Sequence, residues 1–508
     1  MKFKIKSYND IAQRVKTMTI RELLSQVCCP DIVPGRRNDN DIRAQLLFMH
    51  PTTYEKIVEA NDTIKKNIGV QPVVMGDLEC GSGCVVAGMP SYPSFMAVGE
   101  TGDDSLAYKV GRLGGEKAYK AGFRWSLAPC CDVILNPNSP ITSIRAVGED
   151  TEKVIKICSA YINGQHDSGI ASTIKHFPGD GCTEYDQHIT TSVNRLSLEE
   201  WYATYGKVYK ALIEEGAMSV MPGHISLPCY DDVCVENGLY PPATISYKLM
   251  TQLLKEELGF EGIICSDAVT MGGFSGFVNY YKACALFLKN GGDILLFAKM
   301  NDIFVEKMTF FVNEGFLPRE ILEERARRVM CFIRQLCEMK PQPYECCDEE
   351  DVVKEVVEKS VKIVRDRKNI LPIKKNECKK ILHASIMTDA HAAEKLNEEL
   401  LKRGLDVEFV SDMGPDWMYA AAESGKYSLI ICSCSNAPSY GTNIVHTHGP
   451  IARNMMRGWS KLDTKTVFVS FYHPYFHKEF EAAADTVINT YGTVDATYKC
   501  VADKIFED

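Results

Sequence analysis

The stretch Gly169–Gly181 reads GIASTIKHFPGDG, and Asp186-Gln187-His188 follows it along the chain. The first part of the stretch is apolar or small over the length of a buried strand. The chain then presents Lys175 and His176, turns at a Pro-Gly pair and enters a glycine-containing loop. The pattern therefore predicts a strand that ends at two side chains able to carry positive charge, with a loop above them.

Asp186 and His188 are two residues apart, so in an extended segment their side chains point to the same side. A carboxylate that holds an imidazole prepares the ring for general acid/base work. An isolated Asp-x-His is more often a pair of solvated loop residues. Because a strand end and a tight turn precede this one, we interpret Asp186 and His188 as a functional dyad.

Apolar runs alternate with helical patterns over the first two thirds of the chain, which indicates βα units and a parallel sheet. We expect an α/β fold whose N-terminal part is a (β/α)8 barrel. Closure of the barrel is inferred, because a barrel needs eight strands and the sequence gives six clear ones. The predicted strands are 72–76, 125–128, 169–174, 217–221, 262–265 and 293–297, with a further one near 46–49.

Polar residues follow the predicted strands one after another. In a (β/α)8 barrel the carboxyl ends of the strands form the active site. A series of such residues at successive strand ends therefore predicts a site. They are Asp77, Glu79, Asp132, Lys175, His176, His224, Ser266 and Asp267.

Asp267 ends an apolar strand, where a carboxylate is costly to bury unless it pairs with a cation. We expect Lys175, His176 and Arg145 to be its neighbours. Held as an anion, Asp267 could attack an electrophilic carbon as a covalent nucleophile. The alternative is a structural Asp that caps the following helix.

A second unit begins after the proline-containing stretch Lys340-Pro341-Gln342-Pro343, where an acidic helical pattern follows. Four further apolar runs separated by helical patterns indicate a small open α/β sandwich. We therefore predict a catalytic barrel over residues 1–345 and a C-terminal α/β domain over residues 346–508.

The chain has 508 residues and a formal net charge of −10. That charge argues against a nucleic-acid-binding surface. The first residues lack the apolar core of a signal peptide, and no apolar run is as long as a membrane-spanning helix. We expect a soluble cytoplasmic protein that has no membrane or nucleic-acid partner.

The 20 cysteines are scattered, and many lie inside apolar runs. Cys432 and Cys434 together with His446 and His448 offer one alternative, a metal site. Zinc-binding cysteine pairs usually have a wider, turn-like spacing, which argues against it. We predict free buried thiols, no metal site and no cofactor.

The most specific motifs are Lys175-His176-Phe177-Pro178-Gly179-x-Gly181, Asp186-x-His188 and Ile264-Cys265-Ser266-Asp267-Ala268. Weaker ones agree in order and spacing, namely Asp77-x-Glu79, Leu127-Ala128-Pro129-x-x-Asp132, Arg145-x-x-Gly148-Glu149-Asp150 and Met221-x-x-His224. On these residues the chain resembles glycoside hydrolase family 3, and most of all its β-N-acetylglucosaminidase branch, from about residue 20 to its end.

The resemblance implies a β-glycosidase that releases terminal N-acetylhexosamine, such as N-acetylglucosamine, with retention of configuration. Asp267 corresponds to the nucleophile, and His188 with Asp186 corresponds to the acid/base dyad. The resemblance also implies residues that bind the sugar. They are Asp77, Arg145, Lys175 and His176, with His224 and Met221 beside them.

The chain departs from the family pattern after Glu79, which Cys80-Gly81-Ser82-Gly83 follows, at Asp180 and at Gln187. A β-glucosidase or other β-glycosidase of the same family stays open, as do an N-acetylglucosaminide phosphorylase and a non-catalytic sugar-binding barrel. Phosphate is a conceivable acceptor, because His188 is neutral after it gives up its proton and repels an anion less than a carboxylate would. The sequence leaves the aglycone and the oligomeric state open.

Overall fold

The computed structural model describes residues 2–31, 45–47, 52–68, 73–234, 238–345, 347–387, 390–411, 413–435 and 440–507. The chain falls into two compact units. Unit 1 contains 1–91, 102–347 and 440–443, and unit 2 contains 92–101, 348–439 and 444–508. Segment 92–101 belongs to unit 2 although the residues on both sides of it in sequence belong to unit 1. Segment 440–443 belongs to unit 1 although the residues on both sides of it belong to unit 2.

Strands are numbered in chain order. They are β1 Cys28–Cys29, β2 Gln45–Leu47, β3 Val73–Gly76, β4 Phe123–Ser126, β5 Thr173–Phe177, β6 Ser192–Val193, β7 Ser219–Pro222, β8 Ile225–Ser226, β9 Ile263–Ile264, β10 Leu295–Leu296, β11 Lys362–Asp366, β12 Ile373–Lys374, β13 Ile381–Met387, β14 Val407–Val410, β15 Leu429–Ser435, β16 Lys465–Ser470, β17 Thr486–Asn489 and β18 Phe506–Glu507.

Helices are numbered in the same way. They are α1 Asn9–Thr17, α2 Ile20–Val27, α3 Tyr54–Ile68, α4 Phe95–Thr101, α5 Asp104–Lys120, α6 Thr151–Asp167, α7 Leu198–Ala203, α8 Tyr205–Glu215, α9 Gly272–Ser275, α10 Tyr280–Lys289, α11 Asp302–Asn313, α12 Arg319–Glu338, α13 Glu349–Ser360, α14 His391–Lys402, α15 Pro415–Glu423, α16 Gly449–Arg453, α17 Phe476–Glu479 and α18 Asp495–Ile505. Lys248–Glu257 forms a further helix, with π-type hydrogen bonds.

Parallel pairing in unit 1 follows the order of the chain. The strands β2, β3 and β4 form one ladder, and β5, β7 and β9 form another. Single β-bridges connect Trp125 to Ala171 and Cys265 to Ile294, so β4 lies next to the segment that leads into β5, and β9 lies next to the segment that leads into β10. Next, β10 pairs with β1. No ladder between described residues joins β1 to β2, so the closed barrel stays a prediction, and the α/β class is what the strands establish.

All six clear strand predictions in the first unit correspond to strands, although their bounds differ. The short strand β1 has too few residues for an apolar run to reveal it. The predicted strand near 46–49 corresponds to β2, and its last residues lie outside the described chain. The strand β5 extends beyond its predicted end, because Lys175 lies in register with Met221 of β7 and the N–H of His176 donates to Asp132.

Helix starts in unit 1 follow capping chemistry. Asp103 accepts hydrogen bonds from the N–H groups of Ser105 and Leu106 at the start of α5. Asp150 accepts one from Lys153 at the start of α6. Each cap satisfies an N–H that the helix leaves without an internal partner, which fixes where the helix begins.

Unit 2 contains a six-stranded sheet in the order β11-β17-β16-β15-β13-β14. All neighbours are parallel except β11, which runs antiparallel to β17. Alternate residues of the central strands enter two separate apolar clusters. Ile431 and Val469 belong to one cluster, whereas Ile430 and Phe468 belong to the other. Because successive side chains of a strand point to opposite faces, the sheet is buried on both faces.

Within the described residues, the helices are too short or too polar to cross a bilayer. The cysteines of the described chain carry free thiols, and those in β1, β15 and the strand ends of unit 1 are buried.

Asp293 connects the end of β9 and the start of β10 to α12. Its carboxylate is fully buried and accepts hydrogen bonds from the N–H of Ile264 at 3.0 Å and from Nε of Arg328 at 2.9 Å. Nη1 of Arg325 lies 3.7 Å away. Burial acts to raise the pKa of Asp293, but the positive charges of Arg328, Lys255 and Arg325 lower it to about 2.

We expect Asp293→Asn to lower the free energy of unfolding by about 3–5 kcal/mol near neutral pH, because it leaves buried arginine charge without its partner. The pKa of Asp293 is lower in the folded chain than its ordinary 3.8, so this stabilisation is complete above pH 3.8 and is lost as the pH falls through about 2. Urea unfolding at a series of pH values measures it.

The control is Asp302→Asn, which removes a carboxylate from an exposed ion pair with Arg21. It should cost less than about 1 kcal/mol. Equal losses in both variants would contradict a special role for the buried pair.

Candidate active site

Charged and polar side chains collect where the parallel strands of unit 1 end. Asp77 follows β3, Lys175 and His176 lie in β5, His224 separates β7 from β8, and Asp267 follows β9. Since the carboxyl ends of parallel strands meet at one edge, these residues of different strands share one region of unit 1. Their contacts divide them into two groups with different chemistry.

The first group consists of Lys175 and Arg145 with two carboxylates. Nζ of Lys175 lies 2.8 Å from Oδ1 of Asp77 and 2.7 Å from Oε1 of Glu79. Arg145 binds Glu79 with two nitrogens, Nε at 2.9 Å and Nη2 at 2.6 Å. The side chain of Lys175 is 3% exposed. Burial acts to raise the pKa of Glu79, but the charges of Arg145 and Lys175 hold it far below its ordinary value.

This network corrects one prediction from the sequence. Lys175 and Arg145 were expected beside Asp267, but they form their ion pairs with Asp77 and Glu79. Glu79 was predicted among the polar residues at the strand ends but was not assigned as a partner of Lys175 and Arg145. Its spacing from Asp77 was the available signal, since residues i and i+2 of an extended segment point the same way.

His176 is held by a buried carboxylate. Its Nδ1 lies 2.8 Å from Oδ2 of Asp132, and its own N–H donates to the same oxygen at 3.2 Å. Nη2 of Arg145 approaches Nε2 of His176 at 3.5 Å. Asp132 therefore fixes the orientation of the ring.

Asp267 lies at the centre of the second group. Its Oδ1 accepts the N–H of Ala268 at 2.8 Å. Burial acts to raise the pKa of Asp267, but the charges of His176, His224 and His188 lower it below its ordinary 3.8. Asp267 is therefore an anion at neutral pH, as a carboxylate nucleophile must be.

The predicted contact between Asp186 and His188 is present. Oδ1 of Asp186 lies 2.7 Å from Nδ1 of His188 and also accepts the N–H of His188 at 2.7 Å. The carboxylate is 0% exposed, whereas the ring is 32% exposed. With Nδ1 turned to Asp186, Nε2 is the nitrogen that is left for exchanging a proton with a bound molecule.

The segment 440–443 completes the surroundings of Asp186, and no sequence pattern predicts this. Oδ2 of Asp186 accepts the N–H groups of Gly441 at 2.7 Å and Thr442 at 3.2 Å. The side chain of Asn443 accepts the N–H of Asp186 at 2.8 Å. Burial acts to raise the pKa of Asp186, but its hydrogen bonds to His188 and to Gly441 lower it. The carboxylate stays ionised because every oxygen has donors.

Tyr440 covers the dyad and the arginine of the first group. Its ring centroid lies 5.1 Å from that of His188, and the guanidinium of Arg145 lies 5.3 Å from the ring of Tyr440. Arg145 acts to lower the pKa of Tyr440, but burial and the carboxylates of Glu79 and Asp77 raise it to about 12. Tyr440 is a neutral phenol, 52% exposed.

His224 and Met221 differ from the sugar-facing residues that the sequence predicts. His224 is fully buried, with Nδ1 at 3.0 Å from the hydroxyl of Thr244 and Nε2 at 3.0 Å from the carbonyl of Ala268. Both ring nitrogens are thus occupied, and His224 orients the residue after Asp267. Met221 is 3% exposed and packs within β7.

Two glycines allow the dyad loop to lie against the residues after Asp267. The N–H of Gly272 donates to the carbonyl of His188 at 2.7 Å, and that of Gly273 donates to the carbonyl of Gln187 at 3.1 Å. A Cβ on Gly272 would lie 2.2 Å from the carbonyl oxygen of Ile189. The close approach therefore requires glycine and couples the dyad to Asp267.

Cys130, Asp132 and His176 offer three potential metal ligands close together. The donors are already engaged with one another, because Sγ of Cys130 and Nδ1 of His176 both contact Oδ2 of Asp132, at 3.2 and 2.8 Å. Burial and the Asp132 charge raise the pKa of Cys130 well above its ordinary value. A protonated thiol is a poor ligand, so these residues form a hydrogen-bonded support for His176.

Comparison with known proteins gives relatives over most of the chain. A protein of Cellulomonas fimi named β-N-acetylglucosaminidase/β-glucosidase is 28% identical over 458 residues, which cover 85% of this chain and 80% of that protein. A β-hexosaminidase of Tolumonas auensis is 34% identical over 192 residues, which are 38% of this chain and 54% of that protein.

Solved structures share the fold over nearly the whole length. The β-glucoside phosphorylase BglX bound to 2FGlc has a TM-score of 0.89 at 25% identity, covering 99% of this chain and 95% of that one. A glycoside hydrolase family 3 β-N-acetylglucosaminidase from Paenibacillus has a TM-score of 0.81 at 19% identity, covering 96% of both chains.

The protein-family model of the Glycosyl hydrolase family 3 N terminal domain matches residues 17–332. That range includes β1 to β10 and every charged residue of the two groups above, and the segment 440–443 lies outside it. As the match extends over more than half of the chain, the protein belongs to glycosyl hydrolase family 3 and is a glycoside hydrolase.

Proposed function

We propose that the enzyme removes terminal β-N-acetylhexosamine, N-acetylglucosamine in particular, by double displacement with retention of configuration. The observation that carries the proposal is the dyad, in which a fully buried Asp186 holds a partly exposed His188 next to the residues that follow Asp267. The names of the relatives from Cellulomonas fimi and Tolumonas auensis support the same substrate class.

In the first step, Oδ of Asp267 attacks the anomeric carbon while the bond from that carbon to the leaving oxygen breaks. His188 gives the proton on Nε2 to the leaving oxygen, so the aglycone departs neutral. Asp186 stabilises the imidazolium before the transfer through the bond to Nδ1. The product of this step is a glycosyl ester of Asp267 and a neutral His188.

In the second step, Nε2 of His188 takes a proton from water while the water oxygen attacks the anomeric carbon. The ester bond breaks, and Asp267 returns to a carboxylate. The low pKa of Asp267 suits it as a leaving group in this step. Asp77 and Lys175 offer hydrogen-bonding groups to sugar hydroxyls, with Arg145 and His176 held in place behind them.

We also propose that eight strands of unit 1, namely β1, β2, β3, β4, β5, β7, β9 and β10, close into a (β/α)8 barrel. A further proposal is that the protein is cytoplasmic. The sequential parallel order from β2 through β10 to β1 supports the barrel. The proposed cytoplasmic location rests on the apolar pattern of the chain and on its free thiols.

A second candidate is phosphorolysis, which the 25% identity to the β-glucoside phosphorylase BglX over 99% of the chain favours. The charges around the site also favour it. Lys175 and Arg145 are balanced by Asp77 and Glu79, so the group nearest the incoming acceptor is a neutral His188 after the first step. A carboxylate in that place would repel a phosphate anion by roughly one to a few kcal/mol.

Asp267→Ala should lower turnover of an activated aryl N-acetylglucosaminide by at least about 10⁴-fold, because the other described carboxylates of the site, those of Asp77, Glu79, Asp132 and Asp186, are engaged with Lys175, Arg145, His176 and His188. Adding azide should restore turnover and give a glycosyl azide of the opposite anomeric configuration, which NMR identifies. Asp302→Ala, at an exposed position, is the matched control. Retention of a tenth of the wild-type rate would remove Asp267 from the nucleophile role.

His188→Ala should lower kcat/KM about 10²- to 10⁴-fold for a substrate with a poor leaving group and much less for an activated aryl glycoside, since only the former needs protonation. Asp186→Asn should keep the preference of the wild type between the two substrates. The alkaline limb of its pH–rate profile should shift to lower pH, because a neutral amide stabilises the imidazolium less than a carboxylate does. Rate profiles on both substrates measure this. Equal losses on the two substrates would indicate a structural role for His188.

Phosphate should accelerate turnover of an activated glycoside and yield a sugar 1-phosphate beside the free sugar, as ³¹P NMR of the products would show. His188→Gln and His188→Glu form a matched pair that differs by one charge. Phosphate should accelerate the Gln variant, whose side chain is neutral, at least about tenfold more than the Glu variant. Free sugar as the sole product, at rates independent of phosphate in all three proteins, would leave a simple hydrolase.

A further inference from the structure

A second cluster of titratable side chains lies in unit 2, outside the residues of the candidate active site. His446 belongs to the segment after β15, His473 follows β16, and Glu479 ends α17. The strands β15 and β16 are parallel neighbours, so the segments that follow them start at the same edge of the sheet. Open parallel sheets commonly bind ligands at that edge.

Three potential ligand atoms converge in this cluster. Nε2 of His473 lies 3.0 Å from Oε2 of Glu479, and Nδ1 of His446 lies 4.0 Å from the same oxygen. One nitrogen from each ring and one carboxylate oxygen all lie within 4.8 Å of one another. A tetrahedral site with bonds of about 2.0–2.2 Å sets its ligand atoms about 3.4 Å apart. The observed spacings surround that value.

The nitrogen of His473 is the most informative atom. The side chain is 4% exposed, and Nε2 makes no hydrogen bond with the described residues although the carboxylate oxygen is close. A buried polar atom without a hydrogen-bond partner costs free energy. A metal ion placed between Nε2 and Oε2 would satisfy both atoms.

Glu479 is held in place independently of the histidines. The backbone N–H of Thr447 donates to both carboxylate oxygens of Glu479, to Oε1 at 3.0 Å and to Oε2 at 3.3 Å. The carboxylate is thus oriented with Oε2 towards His473, and His446, whose side chain is 56% exposed, lies on the outer side of the same oxygen. The buried His473 and the anchored Glu479 therefore define the site, and His446 adds a third ligand.

We propose that His446, His473 and Glu479 bind a divalent transition-metal ion, with zinc as the best match, and that water completes the coordination. Two imidazoles and one carboxylate suit zinc, whereas magnesium and calcium prefer oxygen ligands alone. The ion would fasten the segment after β15 to the segment after β16.

The sequence offers Cys432 and Cys434 as partners of His446 and His448 only as an alternative, which their spacing argues against, and it predicts no metal site. These cysteines lie in β15 and are buried in an apolar cluster, and burial raises the pKa of both thiols. They stay protonated and do not serve as ligands. The partners of His446 come instead from the next strand end, which is distant in sequence.

The test uses the full chain without an affinity tag, freed of metal by a chelator and titrated with Zn²⁺ in a calorimeter. We expect saturable binding of one equivalent. Glu479→Gln keeps an acceptor for Thr447 but removes the anionic ligand, and His446→Ala removes an exposed ligand without opening the core. In each variant the dissociation constant for Zn²⁺ should be at least tenfold higher than in the wild type. Zn²⁺ should raise the midpoint of thermal unfolding of the wild type but not that of either variant.

His448→Ala is the matched control, because His448 lies in the same segment and its Nδ1 contacts the carbonyl of His446. It should bind Zn²⁺ like the wild type. Co²⁺ in place of Zn²⁺ should give a visible spectrum without a sulfur-to-cobalt charge-transfer band. A sulfur band, no saturable binding, or equal affinity in the wild type, Glu479→Gln and His446→Ala would each overturn the proposal.

Discussion

A buried charge is costly unless a partner of opposite charge or hydrogen bonds satisfy it, and this constraint organises the strand ends of unit 1. Lys175 and Arg145 meet the carboxylates of Asp77 and Glu79, so that two positive and two negative groups balance. The network therefore adds little net charge around Asp267, whose anion is favoured instead by the charges of three histidines. Groups suited to binding hydroxyls, at the ends of β3 and β5, are thus separated from the group suited to attack, at the end of β9.

The same constraint applies to the buried carboxylate of Asp186. This residue lies in a loop, so its hydrogen-bond donors come from other loop segments and not from neighbouring strands. Its side chain is 0% exposed and its two oxygens receive the N–H groups of His188, Gly441 and Thr442 together with the His188 ring. A carboxylate so satisfied stays ionised and holds the Nδ1 side of the His188 ring. The acid/base function that we propose therefore depends on the segment 440–443 as directly as on the dyad. Tyr440, at the start of that segment, limits the positions that the ring of His188 can take.

The sequence predicted the parts of this arrangement that are local or periodic. Buried strands appear in the sequence as apolar runs and were found. The contact between Asp186 and His188 was also found, but the extended segment assumed for it was wrong, because the two residues lie in a turn in which the N–H groups of Ile189 and Thr190 donate to the carbonyl of Asp186. The strand β1 was missed because two residues give no period. The partners of Lys175 were assigned wrongly because Asp77, Glu79 and Asp267 all follow strand ends, and only the register and the loop paths decide which carboxylate is nearest. The segment 440–443 was not found, since Gly441 and Thr442 contact Asp186 through backbone N–H groups that any sequence offers. The side chain of Asn443 also contacts Asp186, but the two residues are 257 positions apart in sequence, and no local pattern connects them.

Two departures from the family pattern, Asp180 and Gln187, contact each other. The side-chain amide of Gln187 donates to Oδ2 of Asp180 at 3.0 Å, and its oxygen accepts the N–H of His224 at 2.7 Å. Burial and the charges of Asp132 and Asp267 raise the pKa of Asp180 well above its ordinary value, although a hydrogen bond from Ser192 acts to lower it. Gln187 therefore connects the buried carboxyl of Asp180 to the backbone of His224, which lies next to the residues that follow Asp267. The two unusual residues thus act as one pair that supports the dyad loop from below. Because the pair is joined by direct hydrogen bonds, a change at one of the two positions removes the partner of the other.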